Sequence, residues 1–293
     1  PRVAGARVVA LPAAHAVIPF AAIAGVVPEV PVDNVRAGVA VEQVIVLAAD
    51  SPVVATKTVD GVIAHVAVDV VEIGAGWGGF ALHAARHYGC HVTTTTISRQ
   101  QHALACERVA AAGLGDLVHV LLEDYRDLDG RYDKLVSIEM IEAIGAEYLD
   151  TYFRQLGRLL KPDGLALLQA ITIEDHRYAQ ALKSVDFIKR HVFPGCFIPS
   201  LNAMLAAKTR SCDLTLIAQE DFGRSYALTL EAWRRRFLAK VSAVRARGFD
   251  ERFIRMWEFY LAYCEGGFRE RSIGVSHLLL AGPGWRPGAA ASA

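Results

Sequence analysis

Four glycines fall within six residues, at 74, 76, 78 and 79, directly after an apolar run that starts near Val66 and ends at Ile73. A carboxylate, Glu72, stands two residues before the first of them, and a helical pattern opens at Phe80. Strand, glycine loop and helix together form a cradle. Glycine lets the backbone turn sharply and lets a ligand lie against the main chain with no Cβ in the way. The helix start adds free N–H groups and the positive end of a dipole. A ligand-free turn would gain nothing from these glycines, which cost strand and helix stability. A second group is Glu139 and Glu142, three residues apart after another apolar run. On a helix that spacing puts both on one side, and Glu142 as an ordinary helix-start carboxylate would complement the dipole. His176, His191 and His277 have no metal-ligand partners at short spacing, so no metal site is expected.

The glycines admit two ligand classes. Gly74, Gly76 and Gly79 fit the dinucleotide pattern G-x-G-x-x-G, which also wants an acid about 20 residues on to hold a ribose hydroxyl. The next strand, from His91 to Thr96, runs into Ile97-Ser98-Arg99-Gln100-Gln101 with no carboxylate. The alternate spacing Gly74, Gly76, Gly78 with Glu72 suits S-adenosylmethionine better. A sulfonium cofactor has no pyrophosphate to cradle, so a nearby carboxylate is tolerated and useful.

The elements that position these groups alternate in period. A helix is predicted from about Ser98 to Ala112, with Ser98 and Gln101 as a capping box and Gly113 as its stop. Strands follow near Val118–Leu122 and Asp133–Ile138. A helix from Glu147 to Leu160 leads through the turn Pro162–Gly164 into an apolar strand ending at Ile173. This β-α-β rhythm implies an α/β fold with a parallel, doubly wound sheet. Residues 174–212 break the rhythm and read as a lid inserted over the carboxyl ends of the strands, where such sheets bind ligands. Two amphipathic helices, about Leu230–Arg247 and Asp250–Arg269, precede a last strand, Gly274–Leu280, and residues 285–293 read as a disordered tail.

From about residue 70 to 282 the chain resembles the cyclopropane-fatty-acyl-phospholipid synthase family, which includes the mycolic acid cyclopropane synthases. The resemblance is carried by Glu72–Phe80, Thr96–Gln101, Asp124–Asp127, the block Ser137-Ile-Glu-Met-Ile-Glu-Ala-Ile-Gly145, Leu160–Gly164, Gln169–Ile173, Val192–Gly195, Asp221–Gly223, Tyr226 and Arg255–Trp257. The Glu-Met-Ile-Glu-Ala-Ile-Gly block, Phe-Pro-Gly and Asp-Phe-Gly are much more specific than the glycine loop. The family's N-terminal motifs, Tyr-Asp-x-Gly-Asn-x-Phe-Tyr and Tyr-Ser-Cys, have no counterpart in residues 1–69, a segment rich in Val and Ala whose one aromatic is Phe20. The organisation expected is thus a divergent segment, 1–69, and a methyltransferase domain, 70–284, Rossmann-like and of the S-adenosylmethionine methyltransferase type.

The resemblance implies a site residue by residue. The loop Glu72, Gly74, Ala75, Gly76, Trp77, Gly78 would hold the cofactor. Thr96, Ile97, Ser98 and Gln101 would lie along its adenosine, and Asp124 and Tyr125 beside the adenine, with the Tyr125 ring suited to stacking. Glu142, Gln169, the Ile171 backbone and Tyr226 would hold a bicarbonate ion. Family members often carry histidine where this chain has Gln169, which can donate to an anion but cannot titrate. The family's Tyr-Ser-Cys cysteine, a further bicarbonate ligand, is absent. The implied chemistry is attack of an alkene on the sulfonium methyl, leaving a carbocation that must lose a proton before a ring can close. A carboxylate too close could form an ester with the cation; a held bicarbonate is a mild base that leaves afterwards. Trp77, Phe187, Phe193 and Tyr263 are candidates to line an acyl channel and to offset positive charge; for each, ordinary core packing is the competing role.

The expected activity is therefore methylene transfer to the cis double bond of an unsaturated phospholipid acyl chain. A related C-methyltransferase leaving a methyl or methylene branch, a non-catalytic cofactor- or lipid-binding relative, and a nicotinamide oxidoreductase lacking its ribose acid are the alternatives. Lys and Arg together number 31, as do Asp and Glu, so the whole molecule has no net field to attract nucleic acid or an anionic bilayer. Five scattered cysteines with no C-x-x-C pair fit a reducing cytosol. Residues 8–32 are apolar, but Pro12, Pro19, Pro28 and Pro31 interrupt them, so buried strands are expected there rather than a spanning helix. The expected location is cytoplasmic and peripheral at the membrane, with room for a homodimer.

Overall fold

The computed structural model describes residues 68–286. The expectations placed on 1–67, and on the tail beyond Arg286, lie outside the described residues. In chain order the elements are β1 (Asp69–Ile73), α1 (Gly79–Tyr88), β2 (His91–Thr96), α2 (Arg99–Ala111), β3 (Val118–Leu122), β4 (Tyr132–Ile138), α3 (Leu149–Leu159), β5 (Leu160–Ile173), α4 (Asp175–Lys183), α5 (Phe187–His191), α6 (Leu201–Ser211), β6 (Thr215–Asp221), α7 (Gly223–Ala239), α8 (Val241–Ala246), α9 (Glu251–Arg269) and β7 (Ile273–Ala281). Two short 3₁₀ turns, Ile141–Ala143 and Ala146–Tyr148, link β4 to α3.

The strands form one seven-stranded sheet in the order β3-β2-β1-β4-β5-β7-β6. The neighbours from β3 to β5 pair in parallel, as the β-α-β rhythm predicts. The exception is β7, which pairs antiparallel with both β5 and β6, so the doubly wound sheet is mixed. β6 escapes the sequence pattern: it is an edge strand with almost every residue exposed, and its apolar stretch is only Leu216-Ile217-Ala218.

Burial explains the helices. Ala81, Ala84 and Ala85 at i, i+3 and i+4 lay α1 close against Val70, Val92 and Val136. On another face α3 buries Tyr152, Phe153, Leu156 and Leu159 against Leu135, Leu168 and Leu280. Helices α7 and α9 pack through Leu230, Phe237, Phe253, Trp257 and Leu261. The segment 174–212 folds as α4, α5 and α6 and is tied to the strand ends: the Ile173 N–H donates to the Pro199 carbonyl at 3.0 Å and the Phe197 N–H to the Glu142 carbonyl at 3.0 Å. No helix among the described residues is long and apolar enough to cross a membrane.

Candidate active site

Strand order reverses between β1 and β4, and the crevice outside their carboxyl ends is where such sheets take ligands. The glycine loop leaves β1 at that point. Gly74, Gly76 and Gly78 have φ of 100°, 50° and 82°, the left-handed region that disfavours side chains. A Cβ at Gly76 would meet no protein atom within 4 Å, so the bare backbone there faces open space. The Gly74 and Ala75 N–H groups are tied to the Thr95 carbonyl at 3.2 and 2.8 Å, which fixes the loop to β2. Gly78 begins α1 with no side chain capping it, leaving first-turn N–H groups for a ligand. Trp77 turns its carbonyl to Arg108 at 3.1 Å. Glu72 is buried and accepts from the Thr94 hydroxyl at 2.6 Å. Burial raises its pKa to about 8, with the Thr94 bond opposing.

At the end of β2, Ser98 caps α2 by accepting from the Gln101 N–H at 3.3 Å. The reciprocal half of the capping box is replaced by a relay: Thr96 Oγ1 accepts from the Ser98 N–H at 3.1 Å and donates to Gln101 Oε1 at 2.8 Å. Ile97 is 77% exposed, an apolar side chain open to a ligand beside the loop. At the end of β3 the expectations divide. Asp124 makes a two-pronged ion pair with Arg126, which holds its pKa below the usual range. Tyr125 turns its ring into the core, 5.8 Å from Tyr152, and its hydroxyl is buried without a partner; burial raises its pKa to about 12. Tyr125 is thus packed sideways against Tyr152.

A Cβ on Gly74 would lie 3.0 Å from Cγ of Met140, so the segment after β4 abuts the glycine loop. This brings the two acids that flank Met140 beside the cradle. They do not share a helix face as their spacing predicts: Glu139 directly follows β4 with φ of 49°, and only Glu142 lies in the following 3₁₀ turn. Glu142 Oε1 accepts from the Ile171 N–H at 2.6 Å, while Oε2 is buried without a partner. Desolvation, then the neighbouring Glu139 charge, push the Glu142 pKa to about 8. Gln169 and Tyr226 both reach Glu139: Gln169 Nε2 donates to Oε1 at 2.7 Å and the Tyr226 hydroxyl to Oε2 at 2.8 Å. Burial raises the Glu139 pKa against these two bonds, and raises that of Tyr226 well above its ordinary value. His277, on β7, pairs its Nε2 with Gln169 Oε1 at 3.0 Å. The amide oxygen requires the tautomer protonated at Nε2, and burial lowers the His277 pKa to about 4.

The structure thus gathers Glu142, Gln169, Ile171 and Tyr226, with Glu139 at their centre and His277 behind. Neither addition was assigned a site role from the sequence. The available signal for Glu139 was its position immediately beyond an apolar parallel strand, the rule that also finds Gly74. Phe187 packs on Phe259 and Tyr263 at 4.6 and 6.0 Å, and Phe193 on Tyr260 at 6.1 Å, making an aromatic seam between the lid and α9. Among the described residues no group of three or more His, Cys, Asp or Glu is arranged to hold a metal.

The open backbone at Gly76, the uncapped helix start and exposed Ile97 fit S-adenosylmethionine. A bicarbonate ion does not fit this arrangement: its expected donors, Gln169, the Ile171 N–H and Tyr226, are already engaged by Glu139 and Glu142.

A mixed sheet with β7 reversed, a glycine loop after β1 and acids after β4 define an S-adenosylmethionine-dependent methyltransferase fold. The family profile described as "Mycolic acid cyclopropane synthetase" matches residues 63–278, and the chain belongs to that family. It is 42% identical over 206 residues to the tuberculostearic acid methyltransferase UfaA1 of Mycobacterium tuberculosis, covering 70% of this chain and 48% of that protein. It is 38% identical over 204 residues to the cyclopropane-fatty-acyl-phospholipid synthase of Escherichia coli, covering 70% of this chain and 50% of that one. The chain spans about half the length of these curated relatives. Among solved structures, the cyclopropane synthase MmaA2 of Mycobacterium tuberculosis superposes with a TM-score of 0.68 at 26% identity, over 73% of this chain and 78% of that one.

Proposed function

We propose that this chain carries the catalytic core of an enzyme that alkylates the cis double bond of an unsaturated phospholipid acyl chain with S-adenosylmethionine, closing a cyclopropane ring. The observation that carries the reading is the contact of Gly74 with Met140, which sets the acid cluster beside the cofactor cradle. When bound, the cofactor supplies an electrophilic sulfonium methyl. The glycine loop and α1 hold it, with Thr96, Ile97, Ser98 and Gln101 along the nucleoside and Asp124 at its rim. Glu139, with Glu142 beside it, faces the positive charge that develops on the acyl chain, where fixed negative charge away from water is most effective. The lid and its aromatic seam admit the acyl chain and exclude water. The lipid is taken from the membrane surface, and a homodimer is compatible with this arrangement.

A second reading, a methyl or methylene branch instead of a ring, is favoured by the likeness to a relative named as a tuberculostearic acid methyltransferase. Mass spectrometry of host lipids with and without expression of the chain tests both. Ring closure adds one CH₂ and removes an unsaturation. A methylene branch adds the same mass and still takes up hydrogen. No new lipid and no binding of S-adenosylhomocysteine by the purified chain would refute the proposal.

A further inference from the structure

We propose that Glu139 is itself the proton acceptor of this site, standing where a bound bicarbonate is expected, so that turnover needs no bicarbonate. The inference rests on the alkylation reading above and adds the identity of the base.

Glu139 occupies a strained position. A non-glycine residue at φ of 49° costs on the order of 1 kcal/mol or more. Three bonds hold it there: its N–H to the Gln169 carbonyl at 2.9 Å, and its two carboxyl oxygens to Gln169 and Tyr226 at 2.7 and 2.8 Å. The side-chain donors that should grip a free anion therefore grip a tethered one. A carboxylate has more acceptor sites than these two bonds use, so each oxygen can still take a proton. The donors also answer the ester problem. Hydrogen bonds to both oxygens blunt their attack on carbon, and the backbone bond limits approach. Glu142 is held by the Ile171 N–H alone, so Glu139 is the carboxyl group that both side-chain donors grip.

The step balances without an added reagent. The alkene π pair forms a carbon–carbon bond to the methyl group, and the sulfur–carbon bond breaks with its electrons staying on sulfur. A C–H bond of the transferred carbon then breaks, its electron pair closing the ring and its proton passing to Glu139. The carboxylic acid so formed returns the proton to solvent after product leaves.

The test compares the parent with Glu139→Gly and Glu139→Gln in buffer scrubbed of carbon dioxide, using labelled S-adenosylmethionine and unsaturated phospholipid vesicles. Glycine suits the backbone here, so the first variant keeps the fold while freeing Gln169 and Tyr226. The parent should turn over equally with and without added bicarbonate. Glu139→Gly should lose roughly 100-fold or more, the usual range for a missing general base, and regain activity with bicarbonate or formate. Glu139→Gln should lose as much and regain nothing, because the amide fills the space. In parallel, ¹³C-bicarbonate is titrated by NMR against each protein with S-adenosylhomocysteine present. The parent should show no saturable binding, and Glu139→Gly should show it. Saturable bicarbonate binding by the parent, stimulation of the parent by bicarbonate, or undiminished turnover of Glu139→Gly would each overturn the proposal. Absence of any methyl transfer by the parent would count against the alkylation reading, and the NMR titration still decides whether Glu139 excludes the anion.

Discussion

Gly76 and Glu72 show how single positions carry the cradle. At Gly76 the backbone is left-handed and nothing protein-made fills the space a side chain would enter. Gly76→Val should therefore abolish S-adenosylhomocysteine binding, read by calorimetry, while adding backbone strain of about 1–3 kcal/mol. Equal binding by parent and variant would remove the loop from the site. Glu72 makes a different prediction. Its folded-state pKa of about 8 lies above its ordinary 4.5, so the folded chain holds the proton more tightly than the unfolded one. Stability from this group is fully present below about pH 4.5 and lost as pH rises toward 8. Glu72→Gln keeps an acceptor for Thr94 and cannot ionise. Its melting temperature should fall less between pH 5 and 8 than that of the parent; parallel slopes would show that Glu72 titrates normally.

Elements differ in how plainly the sequence announces them. Strands β1, β4 and β5 are buried on both faces for much of their length and read as apolar runs, and the Ser98 cap marks the start of α2 to the residue. β6 was missed because its apolar stretch is short, Leu216-Ile217-Ala218, and it runs into the polar Gln219-Glu220-Asp221 on an exposed edge. The reversal of β7 was invisible because its direction follows from pairing with strands more than 50 residues away in sequence, as with Gln219 against Leu278. The site shows the same division. The resemblance led to Glu142, Gln169, Ile171 and Tyr226, and the helical spacing argument misplaced Glu139, since one left-handed residue breaks the helix the spacing assumed. Packing at this scale is testable on α3, where Leu156 is fully buried beneath the sheet. Leu156→Ala should cost about 2–5 kcal/mol in denaturant unfolding with an unchanged slope. A cost below 1 kcal/mol would mean that the cluster collapses around the gap.

For the molecule as a whole, β7 unites parts that the chain makes far apart. It pairs with β5 over nine residues and with β6 over most of its length, carries His277 into the acid cluster, and buries Val275 against α7 and α9. A chain ending at Ser272 should lack a cooperative thermal transition and should bind hydrophobic dyes at neutral pH. A sharp transition in that truncation would mean that the remaining strands close the sheet alone.

The same central placement sets a clock on biosynthesis. Between the end of β6 and the end of β7 the ribosome adds 60 residues, which at roughly 5–20 residues per second takes about 3–12 s. Through those seconds β5 offers a bare, apolar edge, and β6 has no neighbour within the described sheet. Such edges pair readily with other nascent chains. Slowed initiation or added chaperone should therefore raise the yield of folded protein more than a longer refolding time would.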